Sequence, residues 1–353
     1  MLRPFAIAGV CMLGAGLVAG VATGVGYAPS PATAREVTLT SGESGLLTPW
    51  VDVFNTASEN STKLLNTFFE APAIGWQQFI ANMSGYLQDW FNDPTSINAS
   101  MQQIQANLNA VTTGYGLQNA DTATTNIVLA HTLDGIGSIS PGHAELFSEI
   151  PGYIPAGEQA AAIPIVNFLG SPASGIIMGM LGPEISPWVA LANSISAGDS
   201  LNETLANMVG GYFNGATLNL DSLLPTINGL GLFPKGMAMA NLDIGFGGLL
   251  SPGSVGHNAD PGVGGSIFNS VGINFTGVPA IQTLDAPSQP VGPLGAWEGW
   301  AQTIAALLGW HGSGSPLADV TLPTIPTDFF DGGSAGSMAA DVSTVWQDLL
   351  AAL

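Results

Sequence analysis

The string that most resembles reaction machinery is Gly332-Gly333-Ser334-Ala335-Gly336, a G-x-S-x-G pattern. In hydrolases such a pattern exposes a serine nucleophile on a sharp turn between a strand and a helix, with a histidine later in the chain to take the proton. No strand pattern precedes Gly332, and the last histidine, His311, lies upstream. The string therefore reads as a Gly/Ser loop that matches by chance, and a hydrolase using Ser334 stands third behind the two readings developed below. His131, His143, His257 and His311 are widely separated and form no pair at metal-ligand spacing. Asp328 and Asp331 beside Gly332 could approach a calcium ion, but Phe329 and Phe330 occupy positions that oxygen ligands would need. A solvated acidic turn is the simpler reading. Neither Lys63 nor Lys235 sits in a phosphate-binding loop. No catalytic residue, metal site or cofactor is nominated, and the chain is expected not to be an enzyme.

The carboxylates are the remaining chemistry. The 353 residues include 25 Asp and Glu against four bases, Arg3, Arg35, Lys63 and Lys235, for a net charge of −21. Carboxylates gathered at a constriction attract cations and repel anions. Asp221, Asp243, Asp260 and Asp285, in a strand-like region, are the candidates for lining such a passage. The competing reading is dispersal: with so few cations, acids keep an apolar, Gly-rich chain soluble. Scarcity of Lys and Arg excludes nucleic-acid binding, which needs several bases in each contact patch. It excludes attraction to anionic lipid headgroups on the same ground.

Two kinds of element would have to position these groups. Thr48-Pro49 reads as a capping hydroxyl before a Pro in the first helical turn. Trp50, Val53, Phe54, Ala57, Leu64, Leu65 and Phe68 then recur at helical spacing. A second helix is predicted through Trp76, Phe79, Ile80, Met83, Leu87 and Trp90. A third follows Asp93-Pro94 with Ile97, Met101, Ile104, Leu108 and Val111 alternating four and three, a narrow seam suited to another helix. Residues 124–133 could add one more. Residues 159–183 carry no charge and are long enough to span a bilayer. Pro164, Gly170 and Pro172 interrupt them, which favours a buried or interfacial helix pair. Further helices are expected near 187–197 and 200–213.

From Ala216 to Asp285 the texture becomes short alternating pieces, Leu218/Leu220, Met237/Met239, Leu242/Ile244/Phe246 and Ile273/Phe275, broken by Gly, Pro, Asn and Asp. Trp297, Trp300, Ile304, Leu307 and Leu308 restore a helical face. A Pro/Thr-rich spacer over 322–327 and an amphipathic segment with Val342, Val345, Trp346, Leu349 and Leu353 complete the chain. The expected fold class is α+β: helices over 48–215, Gly-rich short strands and a helix over 216–310, then the spacer and final helix over 311–353. It is not a clear single-chain β-barrel.

Residues 1–34 read as an export signal. Arg3 precedes an apolar run from Phe5 to Tyr27, and Ala32-Thr33-Ala34 gives the small-x-small pattern that places cleavage before Arg35. An uncleaved membrane anchor is the alternative. The one cysteine, Cys11, lies inside this segment, so a chain cleaved there has neither a disulfide nor a thiolate. Residues 35–47 form a linker.

Several runs resemble one family. They are Gly198-Asp199-Ser200-Leu201, Asn207 to Leu218 (NMVGGYFNGATL), Phe246 to Gly253 (FGGLLSPG), Gly265 to Ser270 (GSIFNS) and Gly292 to Gly299 (GPLGAWEG). Together they resemble the GjpA-type outer-membrane porin family of mycolic-acid-bearing actinobacteria. The resemblance implies residence in the outer envelope, contact with envelope lipid or cell wall, possible homo-oligomers, and a passive channel for small hydrophilic solutes or cations. It brings no residue-level site. The periodicity pulls the other way, since a membrane barrel needs at least about eight strands of ~9–11 alternating residues. A non-conducting secreted or surface-attached interaction protein is the rival expectation.

Overall fold

In a computed structural model the chain is described over residues 45–136, 142–231, 233–257, 260–278, 282–318 and 320. The Ser334 string, Asp328, Asp331, the signal residues Ala32, Ala34 and Arg35, and the amphipathic segment near Trp346 lie outside these residues. What is described is α+β, with helices dominating the first part and short antiparallel strands the second.

The helices follow the apolar spacing. Helices α1 (Thr48–Glu70) and α2 (Ile74–Asn92) are joined through Pro72 and a left-handed Ala73. The Thr48 hydroxyl does not cap α1. The helix begins at Thr48 itself, with Leu47 at the cap position and Pro49 in the first turn. Asp93 does cap, accepting the Thr95 N–H at 2.9 Å, but it starts a single 3-10 turn over Pro94–Ser96 that leads into α3 (Ile97–Gly116). Helices α4 (Thr122–Ala130), α5 (His143–Tyr153) and α6 (Gln159–Leu169) are short, and only α5 lacks a counterpart in the apolar pattern.

The uncharged stretch does divide into two helices, at Gly170-Ser171, where the Ser171 hydroxyl accepts the Ser174 N–H. The second of them, α7 (Pro172–Ala197), differs from expectation. It absorbs the segment anticipated as a separate helix near 187–197 and keeps Pro183 and Pro187 in its interior. Helix α8 (Leu201–Asn214) opens on a capping box in which Ser200 and Glu203 satisfy each other's backbone N–H.

Strands β1 (Ala216–Asn219), β2 (Ala238–Phe246), β5 (Val271–Val278) and β6 (Gln282–Ala286) form one antiparallel sheet in the order β1-β2-β5-β6. A short helix α9 (Leu224–Gly229) lies between β1 and β2, and β3 (Val255–His257) with β4 (Asp260–Gly262) makes a separate ribbon. The register sorts residue types by face. Leu218 lies opposite Ile244, and Ile244 opposite Val271. Leu242 pairs with Ile273, and Ile273 with Ala286. Because side chains alternate across a sheet, the other face presents Asn219 opposite Asp243, and the row Asn241, Asn274, Asp285.

Helix α7 is the axis of the fold, and it makes its contacts through backbone. A Cβ on Gly175 would strike the Gly265 carbonyl, one on Gly179 would lie 2.7 Å from the Gly292 oxygen, and one on Gly182 would strike the Gly247 carbonyl. One turn further on, Ser186 donates to the Phe246 carbonyl at 2.9 Å. The runs FGGLLSPG, GSIFNS and GPLGAWEG thus meet along one helix. NMVGGYFNGATL joins them through Gly211, whose Cβ would lie 2.8 Å from the Ser186 carbonyl. The last helix, α10 (Pro293–Leu307), ties the apolar clusters together: Ala305 packs with Ala71 and Ile74, Leu307 with Leu117 and Val128, and Ala296 with Ile176 and Val291.

Candidate functional site

Three places gather polar groups, and each is built differently. The most deeply buried is a carboxylate–imidazole pair that no spacing rule would have found. Asp134 follows α4, and His143 opens α5 with its side chain fully buried. His143 Nδ1 lies 2.7 Å from Asp134 Oδ1, and the same oxygen accepts the His143 backbone N–H at 2.8 Å. His143 Nε2 lies 2.7 Å from the Val271 carbonyl, an oxygen that can only accept. Asp134 in turn donates its N–H to Asn269 Oδ1, and Asn269 donates to the Ser254 carbonyl at 2.8 Å. Both ring nitrogens are occupied by the protein, so the pair has no free nitrogen with which to take a substrate proton. It fastens α5 to β5 and to the loop at 269.

The second place is the polar face of the sheet. Asp221, just beyond β1, accepts the Leu242 N–H at 2.9 Å and the Asn219 side-chain N–H at 2.8 Å. These bonds, the Asn219 one foremost, hold its carboxyl below the usual range. Asp243 Oδ2 accepts from Asn241 at 2.7 Å, while Asp243 Oδ1 and Asn274 Oδ1 are buried without a hydrogen bond. Asp285 is exposed on β6 opposite Asn274. Asp260 stands apart on β4, where it opposes the lowering that burial imposes on the Lys63 ammonium. Of the four candidate lining residues, the fold therefore brings Asp221 and Asp243 side by side and sets Asp285 two strands away. Asp260 sits on the other ribbon.

The third place is an open groove of about 700 Å³ between the start of α1, the end of α7, α8 and β1. Asp52, Asn193, Asp199, Glu203, Asn207 and Asn214 line it. Most of these groups already brace the walls. Asn207 donates to Asp199 at 3.0 Å, Asn193 to the Thr217 carbonyl and Asn214 to the Val53 carbonyl, both at 2.9 Å. Glu203 is held in the capping box, and its Ser200 bonds lower its pKa.

The other histidines give no shared centre. Burial pushes His131 down to about 4, and no group of three or more His, Cys, Asp or Glu among the described residues could hold a metal. One further carboxyl stands out: burial raises Glu298, on α10, to about 8, and its Oε1 has no hydrogen bond. Sequence reasoning weighed His143 only as one of four scattered histidines and did not single out Asp134 or Glu298. Only their unpaired acidity or basicity beside apolar neighbours could have marked them. Among the described residues one helix, α7, is long and apolar enough to cross a membrane. No protein-family model, no curated protein and no solved structure matches the chain.

Proposed function

We propose that the chain is an exported protein of the outer envelope whose single copy works as a surface-attached, non-enzymatic interaction protein. The observation that carries this reading is the architecture. Strands of four, nine, eight and five residues form an open sheet beside a helical body organised around α7. That sheet falls well short of the eight or so long strands that would close a barrel in lipid. The leader-like residues 1–34 and the resemblance to GjpA-type porins support the location.

A second reading is a passive channel for small hydrophilic solutes or cations, made by several copies together. It is favoured by the polar sheet face, where Asp243 and Asp285 are interleaved with Asn219, Asn241 and Asn274, and by Asp221 just beyond β1, which accepts from Asn219. Two measurements separate the readings. An interaction protein extracts from envelopes without detergent and gives no discrete conductance steps in planar bilayers. A channel needs detergent and gives steps that favour cations, an outcome that would overturn the first reading.

A further inference from the structure

Two oxygens on the polar sheet face have no hydrogen-bond partner, and the register makes them neighbours. Asp243 on β2 lies opposite Gly272 on β5, and Asn274 stands two residues from Gly272 on the same face. Asp243 Oδ1 and Asn274 Oδ1 are both buried without a hydrogen bond. A buried acceptor left alone is costly, and an ionised one more so. The fold nevertheless makes room for this one. A Cβ on Gly272 would strike the Asp243 carboxylate, so the missing side chain lets that carboxylate lie across β5. Asn241 donates to the other carboxylate oxygen, Oδ2, at 2.7 Å. The segment after β6 crosses the same face at Gly245, where a Cβ would lie 3.1 Å from Pro290 and 3.2 Å from the Ser288 hydroxyl. Asp285 is opposite Asn274 on β6 and is exposed.

We propose that this spot binds one divalent cation of calcium size, with Asp243 Oδ1 and Asn274 Oδ1 as its inner ligands and Asp285 closing it from the solvent side. The argument is chemical. A carboxylate oxygen and an amide oxygen can only accept, so the pair calls for a species that brings positive charge. Strands β1, β2, β5 and β6 contain no Lys, Arg or His to supply it. Carboxylate and carbonyl oxygens suit calcium, magnesium or manganese, whereas zinc and copper draw on imidazole or thiolate. Magnesium demands near-ideal octahedral geometry and keeps its waters, while calcium takes amide oxygens into a flexible shell. Two carboxylates balance one dication, and water fills the remaining positions. So few charged ligands place the dissociation constant at about 10⁻⁴–10⁻³ M, the range of extracellular calcium modules. No cluster of three acids or histidines marks the place among the described residues, because one of the ligands is an amide. The inference rests on neither functional reading: an occupied site ties β2, β5 and β6 together whether or not their polar face lines a passage.

Equilibrium dialysis of the exported chain against radioactive calcium tests it, at about 0.15 M KCl so that diffuse attraction to the acidic surface is screened. One saturable calcium per chain is expected. Asp243→Asn should lower the affinity about tenfold or more, with an unchanged circular dichroism spectrum. Asp285→Asn, at an exposed position where folding is not at stake, should weaken binding several-fold. Magnesium at the same concentration should displace little of the bound calcium. A chain with no saturable site overturns the proposal and leaves water as the partner of the two oxygens. Binding that both substitutions leave unchanged also overturns it, because scattered surface carboxylates would then hold the ion. Displacement by magnesium as readily as by unlabelled calcium overturns the assignment to a cation of calcium size.

Discussion

Glu298 and His131 set opposite slopes on the pH dependence of stability, and their sum has a shape that neither group gives alone. Glu298 titrates near 4.5 when the chain is unfolded and near 8 when folded. Between those values the folded state holds a proton that the unfolded state has lost, so stability falls by ~1.4 kcal/mol per pH unit, about 5 kcal/mol in all. His131 titrates near 6.5 unfolded and near 4 folded. Across that interval the unfolded state holds the extra proton, so stability rises at the same ~1.4 kcal/mol per unit, about 3 kcal/mol in all. From pH 4.5 to 6.5 the two cancel and stability should be level. From 6.5 to 8 only Glu298 changes, and stability should fall by about 2 kcal/mol. The perturbation is Glu298→Gln, which keeps the shape and removes the ionisation. The variant should gain stability up to pH 6.5 and then stay level to pH 8. Urea denaturation at half-unit steps of pH reads this directly, as a slope that does not depend on any fixed cost of the substitution. A variant that keeps the wild-type fall between pH 6.5 and 8 would refute the reasoning, because some other group would then be responsible.

The remaining predictions concern packing. His143→Ala leaves Asp134 buried without its ring partner and should cost about 3–5 kcal/mol; a loss below about 1 kcal/mol in denaturant unfolding would show that the pair does not hold α5 in place. Gly182→Ala and Gly85→Ala are the same chemical change with opposite signs. The first drives a methyl group into the Gly247 carbonyl and should cost about 1–3 kcal/mol. The second meets nothing within 4 Å on α2 and should stabilise by up to ~1 kcal/mol. Thermal melts of the two variants check both, and equal shifts would contradict the account of α7.

Much of the helical part could be read from the order of residues because burial there follows period. Val53, Ala57 and Leu64 are buried on α1 as their spacing requires, although Phe54 and Leu65, assigned to the same face, stay exposed. Three of the four strands of the sheet were legible as alternating pieces, since Leu242, Ile244 and Phe246 share a face by the simplest rule of strands, but β6 (Gln282–Ala286) matched none of the pieces. The join between α6 and α7 was marked by Gly170 and Pro172. The separate helix expected near 187–197 did not appear, because α7 runs on through Pro183 and Pro187 to Ala197. Around α7 the contacts are between backbones, and a pattern read from apolar residues alone passes over small residues such as Gly175, Gly179 and Gly182. Asp134 and His143 were illegible for a different reason: two polar residues nine apart become partners only after α5 has folded back onto β5. The runs FGGLLSPG, GSIFNS and GPLGAWEG are where loops close on one helix.

The closeness of backbone to backbone around α7 has a thermodynamic consequence. Unfolding there exposes peptide groups in unusual proportion to hydrocarbon, because Gly175, Gly179, Gly182, Gly247, Gly265 and Gly292 have no side chains to expose. Hydration of apolar surface raises heat capacity, whereas hydration of peptide surface lowers it. The heat-capacity increment per residue should therefore lie below the usual ~12–15 cal/mol/K. Its curve of stability against temperature should be correspondingly broad, an expectation that calorimetric measurement of the heat-capacity increment checks.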